Sequence, residues 1–275
     1  MLYKPKFKPH YHVRIIEPDT VYLLSDKGQC ILNNRLYVLL ALLLDGNHTV
    51  NEIIWQLKKE VPLLDIQQAL IRLEIEGYLT ESSNIIPQQV AAFWSSLGVE
   101  PEIAVQKLQE SRISVTALGT LGIESIAYAL ESLDIQLGEG DFTVVFTDDY
   151  LQIGLDAFNR EAEETGKPWL LAKPVGTAIW IGPLFIPGET GCWECLAQSL
   201  RNNKVQNTSN LHAVLPTSVQ LGLNLIAIEI AKWIIWGQHQ QLTGTLLAFD
   251  LISLSIQEHI LVKRSQCPVC GTPES

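Results

Sequence analysis

The sequence predicts an α/β protein with two folded parts, and three features of the chain lead to this prediction. Up to Thr80, short apolar runs are followed by helical patterns of apolar residues. From Ile113 onward, strand-like and helical segments alternate, which indicates a mainly parallel sheet. Two Cys-x-x-Cys pairs stand far apart in this second part, where a shared metal ion would tie distant segments together.

The composition is that of a folded protein with a sizeable core. The chain has 275 residues, of which 47% are hydrophobic and 18% are charged, and this length is enough for two modest domains. The formal net charge of -11 disfavours a nucleic-acid partner, because a protein that binds phosphates needs clustered Lys and Arg side chains.

No targeting signal is expected, because the lysines of Met1–Lys8 are not followed by an apolar core. The most apolar stretch, Val219–Trp236, is interrupted by Asn224, Glu229 and Lys232. A membrane span needs about twenty nearly uncharged residues, so we expect a buried amphipathic helix and no membrane partner. We therefore expect a cytoplasmic protein, whose thiols stay reduced.

The first part predicts a three-stranded meander, then helices and a return strand. The predicted strands are Val13–Ile16, Val21–Leu24 and Gln29–Leu32. The predicted helices are Leu36–Leu44, one that begins at a Thr49/Glu52 capping box, and one from Asp65 to Gly77. The third helix carries one buried apolar face, and Tyr78–Thr80 forms the return strand.

This order of elements is typical of a winged helix-turn-helix module. DNA binding is disfavoured because the third helix carries three acidic residues against the single basic residue Arg72. The other use of the fold is as a peptide clamp, in which an extended peptide joins an exposed strand edge through main-chain hydrogen bonds. A packing or dimerisation module without a ligand stays an alternative.

The second part is predicted to follow a break at Glu81–Asn84 and two helices, the first of them Pro87–Leu97. Its predicted helices are Ile123–Leu133 and Leu151–Glu164, and its predicted strands are Ile113–Leu118, Phe142–Thr147, Trp169–Lys173, Ala178–Pro187, Leu246–Asp250, Ser253–Ile256 and Gln257–Lys263. Polar residues from Arg201 to Asn210 predict a loop, and we expect His212 beyond it to be an ordinary surface residue.

The turn Gly119–Gly122 joins a strand to a helix, as in nucleotide-binding folds. Its glycines are too sparse to let the backbone approach a pyrophosphate, and the sequence contains no Gly-x-x-x-x-Gly-Lys-Ser/Thr motif. We therefore expect no ATP in this chain. Asp148 and Asp149 could hold Mg²⁺ at the end of a strand, but we expect a solvated turn.

Four of the five cysteines form two pairs, Cys192/Cys195 and Cys267/Cys270. The two-residue spacing points both sulfurs of a pair at one ion, and two pairs complete a tetrahedral shell. This predicts a structural zinc site without an open position for water; disulfides or a redox pair are the alternatives. Cys30 stands alone in an apolar run, and we expect a small packed side chain there.

Seven strings of the sequence are characteristic of one protein family, and the cysteine pairs occur together with their flanks, which makes the match specific. The strings are Pro9–Val13, Phe93–Trp94, Thr147–Leu151, Lys173–Gly176, Gly188–Cys195, Glu229–Trp233 and Lys263–Gly271. On these strings the chain resembles, nearly end to end, the N-terminal part of cyanobactin-type heterocyclases, the azoline-forming cyclodehydratases of ribosomal peptide biosynthesis.

The resemblance implies a fold and a division of labour. It implies a winged helix-turn-helix recognition element for a precursor peptide at residues 1–82, a helical linker at 83–112, and a ThiF-like, degenerate Rossmann-type zinc domain at 113–275. In that family a YcaO-type domain carries out the ATP-dependent cyclisation of Cys, Ser or Thr. That domain is expected outside this chain, as a continuation of a longer polypeptide or as a separate subunit. A homodimer is also expected from the family.

The resemblance also implies site residues. A leader peptide would pair with the backbone of Gln29, Cys30, Ile31 and Leu32, and the groove would be bordered by Ile66, Ala69, Leu70 and Leu73. Since leaders of this family are rich in Leu and Glu, the expected charge partners are Lys27, Arg35 and Arg72. The expected zinc ligands are Cys192, Cys195, Cys267 and Cys270. The rivals are a ThiF-like ATP-dependent adenylating enzyme, which would activate a carboxyl terminus, and a winged-helix transcription regulator.

Overall fold

The computed structural model describes residues 2–81, 86–140, 142–203, 214–237 and 241–271. The predicted break after Glu81, most of the predicted loop up to Asn210, and His212 lie outside these residues. The chain divides into two compact units, residues 1–104 and 105–275, which we call unit 1 and unit 2.

Unit 1 contains a small antiparallel meander whose last strand is at the edge. Its strands are β1 (Pro5–Phe7), β2 (His12–Ile16), β3 (Thr20–Ser25), β4 (Gly28–Asn33) and β5 (Leu79–Glu81). β2, β3 and β4 pair in that order, as predicted, whereas the return strand β5 pairs with β1 in a separate two-stranded ribbon. β1 was not predicted, because three residues are too few to display an alternating pattern.

The helices of unit 1 follow the predicted order. They are α1 (Arg35–Ala41), α2 (Val50–Leu57), α3 (Leu63–Ile75) and α4 (Gln88–Ser96), and α5 (Pro101–Glu110) crosses the boundary between the units. The capping box at α2 is confirmed: the Thr49 hydroxyl accepts the Glu52 N–H at 3.2 Å, and the Glu52 carboxylate accepts the Thr49 N–H at 2.7 Å.

Unit 2 is built on a seven-stranded sheet with helices around it. Its strands are β6 (Arg112–Leu118), β7 (Gln136–Leu137), β8 (Thr143–Thr147), β9 (Trp169–Lys173), β10 (Ala178–Phe185), β11 (Thr245–Asp250) and β12 (Ser255–Ile260). Its helices are α6 (Ile123–Glu131), α7 (Leu155–Thr165), α8 (Trp193–Asn203) and α9 (Pro216–Trp236).

The sheet is mixed rather than mainly parallel, which corrects the prediction. In the order β12-β11-β10-β9-β8-β6-β7, the strands from β9 to β7 are parallel and those from β9 to β12 are antiparallel. The apolar runs of the strands β8 and β9, which pair in parallel, and of the antiparallel strand β10 look alike in the sequence, because these three strands are mostly buried. The two last predicted strands are in fact the single strand β12, and α8, whose beginning coincides with a cysteine pair, was not predicted.

Helix α9 is a packed helix of unit 2. By length and composition alone it could cross a membrane, but a core helix passes the same test. Its Trp233 ring stacks on Phe142 with centroids 3.9 Å apart, and Gly222 lets its backbone approach Pro174, where an added Cβ would stand 2.9 Å from the Pro174 Cα. These contacts fit the predicted buried helix.

Candidate functional site

The four paired cysteines come together in unit 2. Their sulfur atoms all lie within 4.8 Å of one another, with Sγ–Sγ distances of 3.6 Å for Cys192/Cys267 and 3.5 Å for Cys195/Cys270. Four sulfurs bound to one zinc ion at about 2.3 Å stand about 3.8 Å apart. All four cysteines are free of disulfides, so the donor set fits a tetrahedral thiolate site for a metal ion.

The thiol pKa values differ within the cluster, and Cys267 differs from Cys192 and Cys270. Burial raises the pKa of the Cys192 thiol to about 11, and burial also raises the pKa of the Cys270 thiol. At Cys267 burial acts in the same direction, but backbone N–H groups of Cys270 and Val269 donate to the sulfur and hold its pKa at about 7. Because thiolates are the ligands, a bound metal ion would displace the remaining protons.

The cluster joins segments that are distant in sequence. Cys192 and Cys195 stand at the start of α8, whereas Cys267 and Cys270 follow the last strand, β12. Three of the four side chains are buried, and four protein sulfurs leave no position for a reacting water. This arrangement can fix the end of the chain to α8, and it is not suited to metal catalysis.

In unit 1, the candidate peptide-binding residues lie on the edge strand β4. The N–H of Asn34 donates to the carbonyl of Asp19 at 2.7 Å, which extends the β3–β4 ladder by one pair. In an antiparallel ladder, bonded and non-bonded pairs alternate, so Cys30 and Leu32 bond to β3. The backbone N–H and C=O groups of Gln29 and Ile31 therefore point away from β3. Within residues 2–81, no described strand pairs with this outer edge.

The side chains of β4 also alternate. Leu32 is buried and Cys30 half-buried, whereas Gln29 and Ile31 are exposed, Ile31 to 44%. The Cys30 thiol donates to the Tyr78 hydroxyl at 3.1 Å, which connects β4 to the chain just after α3. This bond raises the pKa of Tyr78 to about 12. Cys30 is thus a hydrogen-bonding residue beside α3 as well as a packed one.

The predicted groove residues of α3 are core residues. Ile66, Ala69, Leu70 and Leu73 are between 0% and 6% exposed and belong to the hydrophobic core of unit 1. That they border a groove stays a prediction, and any contact with a peptide would need a rearrangement of this core. The apolar residues that α3 exposes are Leu63, Leu64, Ile71 and Ile75. These four residues were not predicted from the sequence, although their positions away from the buried face could have indicated them.

The three predicted charge partners are exposed and interact within unit 1. Lys27 precedes β4, and its ammonium donates to the Ser96 carbonyl at 2.5 Å. The Arg72 guanidinium binds the Glu76 carboxylate at 2.7 Å, and Arg35 lies 4.0 Å from Glu60 across a cleft of about 540 Å³. Exposed pairs of this kind are weak, so an acidic peptide could replace these partners.

At the glycine turn of unit 2, the Asp148 carboxylate binds groups that could otherwise donate to an anion. The Asp148 Oδ2 atom accepts hydrogen bonds from the Thr120 N–H at 2.7 Å and the Thr120 hydroxyl at 2.8 Å. Asp148 is 7% exposed, so the predicted solvated turn is wrong for this residue. The Asp148 carboxylate lies so close to Gly119 that a Cβ there would be 2.6 Å from it. A backbone N–H at a strand–helix turn is the group that binds phosphate in nucleotide sites.

The fold and the cysteine cluster together define a class: a winged helix-turn-helix module followed by a ThiF-like α/β unit with a four-cysteine metal-binding group. Residues 6–81 match the family model of a Winged Helix-turn-helix domain. No curated protein sequence matches the chain.

Among solved structures, the chain is similar to two heterocyclases. It superposes on the heterocyclase TruD with a TM-score of 0.87 and 39% identity, covering 98% of this chain and 43% of that one. A heterocyclase in complex with substrate and cofactor gives a TM-score of 0.85 and 38% identity, covering 98% of this chain and 40% of that one. The chain is therefore similar to these heterocyclases and spans about two fifths of their length.

The fold is shared more widely. Escherichia coli MccB superposes with a TM-score of 0.68 at 14% identity, covering 98% of both chains, and MccB with ATP gives 0.69 at 14% identity, covering 97% of this chain and 99% of that one. At this identity the likeness concerns the fold alone. It confirms the ThiF-like architecture of unit 2.

Proposed function

We propose that this chain binds the leader of a ribosomally made precursor peptide and presents the peptide to a YcaO-type cyclodehydratase that forms thiazoline or oxazoline rings. The observation that carries the proposal is the outer edge of β4, whose backbone groups at Gln29 and Ile31 face away from β3. The relation to heterocyclases, one of them solved with substrate, supports a peptide as the ligand.

The proposed complex is a strand addition. A guest strand beside β4 would bond to the outward N–H and C=O groups of Gln29 and Ile31, and its side chains would reach the exposed apolar residues nearby. Main-chain bonds supply affinity independent of sequence, whereas the apolar contacts and the charges of Lys27, Arg35 and Arg72 supply selectivity for a leader rich in Leu and Glu. We expect a dissociation constant in the micromolar range or below, which is about -8 kcal/mol.

The test compares Ile31→Pro with Ile31→Val. Proline removes the outward N–H but leaves the ladder to β3 intact, whereas valine keeps both the N–H and a branched apolar side chain. Because a net hydrogen bond contributes about 1 kcal/mol and the proline ring also obstructs the edge, we expect the proline variant to bind a leader peptide about tenfold more weakly in calorimetry. Equal affinities of the two variants would exclude the β4 edge as the binding site.

A charged substitution on the buried face of α3 is a less useful test. Leu70 is 3% exposed, so Leu70→Glu would place a carboxylate in the core of unit 1 and disrupt folding. Ile71→Glu changes a residue of the same helix that is 43% exposed, and it tests whether this surface of α3 contacts the leader. A folded Ile71→Glu variant with unaltered leader affinity would remove that surface from the proposed site.

We further propose that the ion at the four cysteines is a structural zinc ion. The reason is the all-sulfur donor set with tetrahedral spacing, which zinc prefers in cytoplasmic proteins. Metal analysis of the purified protein is expected to give one zinc per chain. Cys267→Ser should lose it, and Cys30→Ser, which changes the cysteine outside the cluster, should retain it.

A ThiF-like adenylating enzyme is the second candidate, and the strand–glycine–helix order and the fold shared with MccB favour it. We propose instead that this chain does not use ATP, because a phosphate at the glycine turn would meet the Asp148 carboxylate already bonded to Thr120. Pyrophosphate exchange with ATP and a precursor peptide decides between the two: exchange that depends on the peptide would establish the adenylating enzyme.

The partners follow from this role. We propose a cytoplasmic protein that binds the precursor leader and a YcaO-type domain or subunit, and that can form a homodimer; nucleic acid and membrane are not proposed as partners. Affinity capture with a YcaO-type cyclodehydratase, with and without the precursor peptide, tests the assembly. Failure to associate under both conditions would contradict the presenting role.

A further inference from the structure

Strand β12 is an edge strand whose side chains are exposed on both of its faces. It stands at one end of the large sheet, and among the described residues of unit 2 only β11 pairs with it. Every residue of β12 is exposed, Ile256 to 62% and Ile260 to 81%. The strand contains neither proline nor lysine, the residues that commonly prevent an edge strand from pairing with another chain. An apolar edge without such protection indicates that another polypeptide covers it.

Two backbone hydrogen bonds show which residues of β12 bond to the sheet. The N–H of Leu261 donates to the carbonyl of Gly244 at 2.8 Å, in continuation of the β11–β12 register. On the other side of β11, the N–H of Leu251 donates to the Thr177 carbonyl at 2.9 Å, in continuation of the β10–β11 register. Since bonded and non-bonded pairs alternate in an antiparallel ladder, both bonds give the same result. The odd-numbered residues of β12 bond to β11.

The even-numbered positions form a symmetrical pattern along the outer edge. The N–H and C=O groups of Ile256, Glu258 and Ile260 are directed away from the sheet. Leu254 and Val262 continue the same spacing before and after β12, and both are 72% exposed. In either direction along the chain, these positions hold two branched apolar residues, one glutamate and two branched apolar residues. Antiparallel pairing of a strand with its own copy reverses the order of its residues, so this pattern matches itself.

We infer that β12 is the contact surface of a homodimer, in which two copies of the strand pair antiparallel about a twofold axis at Glu258. Ile256 then lies opposite the partner's Ile260, Leu254 lies opposite the partner's Val262, and the outward backbone groups form about six hydrogen bonds. A second copy is the occupant because it supplies an apolar residue opposite every apolar position of the edge. The only charges brought together are the two Glu258 carboxylates at the axis. The inference gives a surface to the homodimer proposed above and does not rest on the peptide-binding role.

The first test measures self-association of the full chain by sedimentation velocity. Ile256→Lys brings an ammonium to two places in the symmetric contact, so we expect the dimer dissociation constant to rise about 100-fold. Ile153→Lys is the control, because Ile153 is another isoleucine of unit 2, 94% exposed and outside β12, and this variant should associate like the wild type. Glu258→Gln removes the repulsion at the axis, so the dissociation constant should fall by up to about fivefold.

The second test examines the register through cysteine cross-linking in a chain that carries Cys30→Ser. Glu258→Cys would bring two sulfurs together at the axis, where the Cα atoms of a hydrogen-bonded pair are about 5.5 Å apart and within disulfide range. His259→Cys is the control, because this position faces the partner's Gln257 and lies about 8 Å from its own copy, too far for a disulfide. Mild oxidation should give a covalent dimer with Glu258→Cys and not with His259→Cys.

The outcomes separate the surface from the oligomeric state. A wild-type chain that stays monomeric up to about 100 µM would overturn both the inference and the proposed homodimer. A dimer that Ile256→Lys does not weaken would overturn the inference alone, and equal cross-linking by the two cysteine variants would contradict the register. If Ile256→Lys weakens capture of a YcaO-type cyclodehydratase and not self-association, the edge belongs to that partner and the inference is also overturned.

Discussion

Removal of the metal ion should lower the stability of unit 2 by several kcal/mol, because the cysteine cluster closes a long loop. Cys192 and Cys267 are 75 residues apart in sequence, and their sulfurs are 3.6 Å apart in the structure. A cross-link that closes a loop of this length lowers the entropy of the unfolded chain by the equivalent of about 4.5 kcal/mol at 25 °C. The full effect is larger where zinc binding itself stabilises the folded site.

Differential scanning calorimetry measures this effect directly. For a unit of this size, 1 kcal/mol corresponds to about 2–4 °C, so chelation should lower the melting temperature of unit 2 by roughly 10–15 °C. Cys267→Ser should reproduce the shift without a chelator, because it removes one of the four ligands. Cys30→Ser is the control, since this cysteine lies in unit 1 and outside the cluster.

An unchanged melting temperature would contradict this prediction. If metal analysis finds the ion removed and the transition of unit 2 stays within about 2 °C of its original temperature, the cluster does not constrain the unfolded chain in the way argued. The folded structure would then be held by packing around the cysteines alone.

Three further predictions concern single residues. Thr49→Ala removes the oxygen that caps α2 and should lower the free energy of unfolding of unit 1 by about 1 kcal/mol in urea denaturation. Burial and the nearby lysines lower the pKa of His10 below 6.5. Below pH 6.5 the unfolded chain therefore binds a proton at His10 more readily than the folded unit does, and the free energy of unfolding should fall as the pH falls. His10→Asn should flatten this dependence. Gly119→Ala should destabilise unit 2 by about 1–3 kcal/mol, because an added Cβ would contact Asp148 at a φ of +121°.

Each of these predictions has a control in the same chain. Thr49→Ser keeps a capping hydroxyl and should retain most of the stability that alanine loses. Gly166→Ala also changes a glycine with positive φ, +70°, but an added Cβ there has no neighbour within 4 Å. If Gly166→Ala and Gly119→Ala lower the free energy of unfolding equally, backbone strain alone explains the effect, without the contact with Asp148. If the free energy of unfolding of the His10→Asn variant still falls below pH 6.5, other titratable groups cause this pH dependence.

The parts of the fold that the sequence predicts are those with local causes. The meander, the helices of unit 1 and the cap at Thr49 follow from patterns within a few residues of each other. The cysteine cluster could also be predicted, because a two-residue spacing determines where both sulfurs of a pair point. In each case the partner groups are close in sequence or are identified by chemistry that few residue types share.

The features that could not be predicted from the sequence depend on distant partners. β1 pairs with β5 across most of unit 1, and the antiparallel half of the large sheet is determined by how β10 and β11 meet. Asp148 was expected in a solvated turn because nothing near it in sequence indicates Thr120, which lies 28 residues earlier. The buried Asn159 side-chain oxygen likewise accepts the backbone N–H of Trp193, which lies 34 residues away in sequence. Pairings of this kind become visible only when the chain is folded.

The placement of the two candidate sites in different units leads to a last prediction, about the leader peptide. The outer edge of β4 belongs to unit 1 and the cysteine cluster to unit 2. Mutually independent sites have additive effects, within a few tenths of a kcal/mol, so removal of the metal should change leader affinity by no more than about twofold. Calorimetric titration with a leader peptide, at a temperature where metal-free unit 2 is still folded, measures this. A tenfold loss on chelation, restored by added zinc, would mean that the metal site supports the peptide-binding edge, and the peptide site could not then be assigned to unit 1 alone.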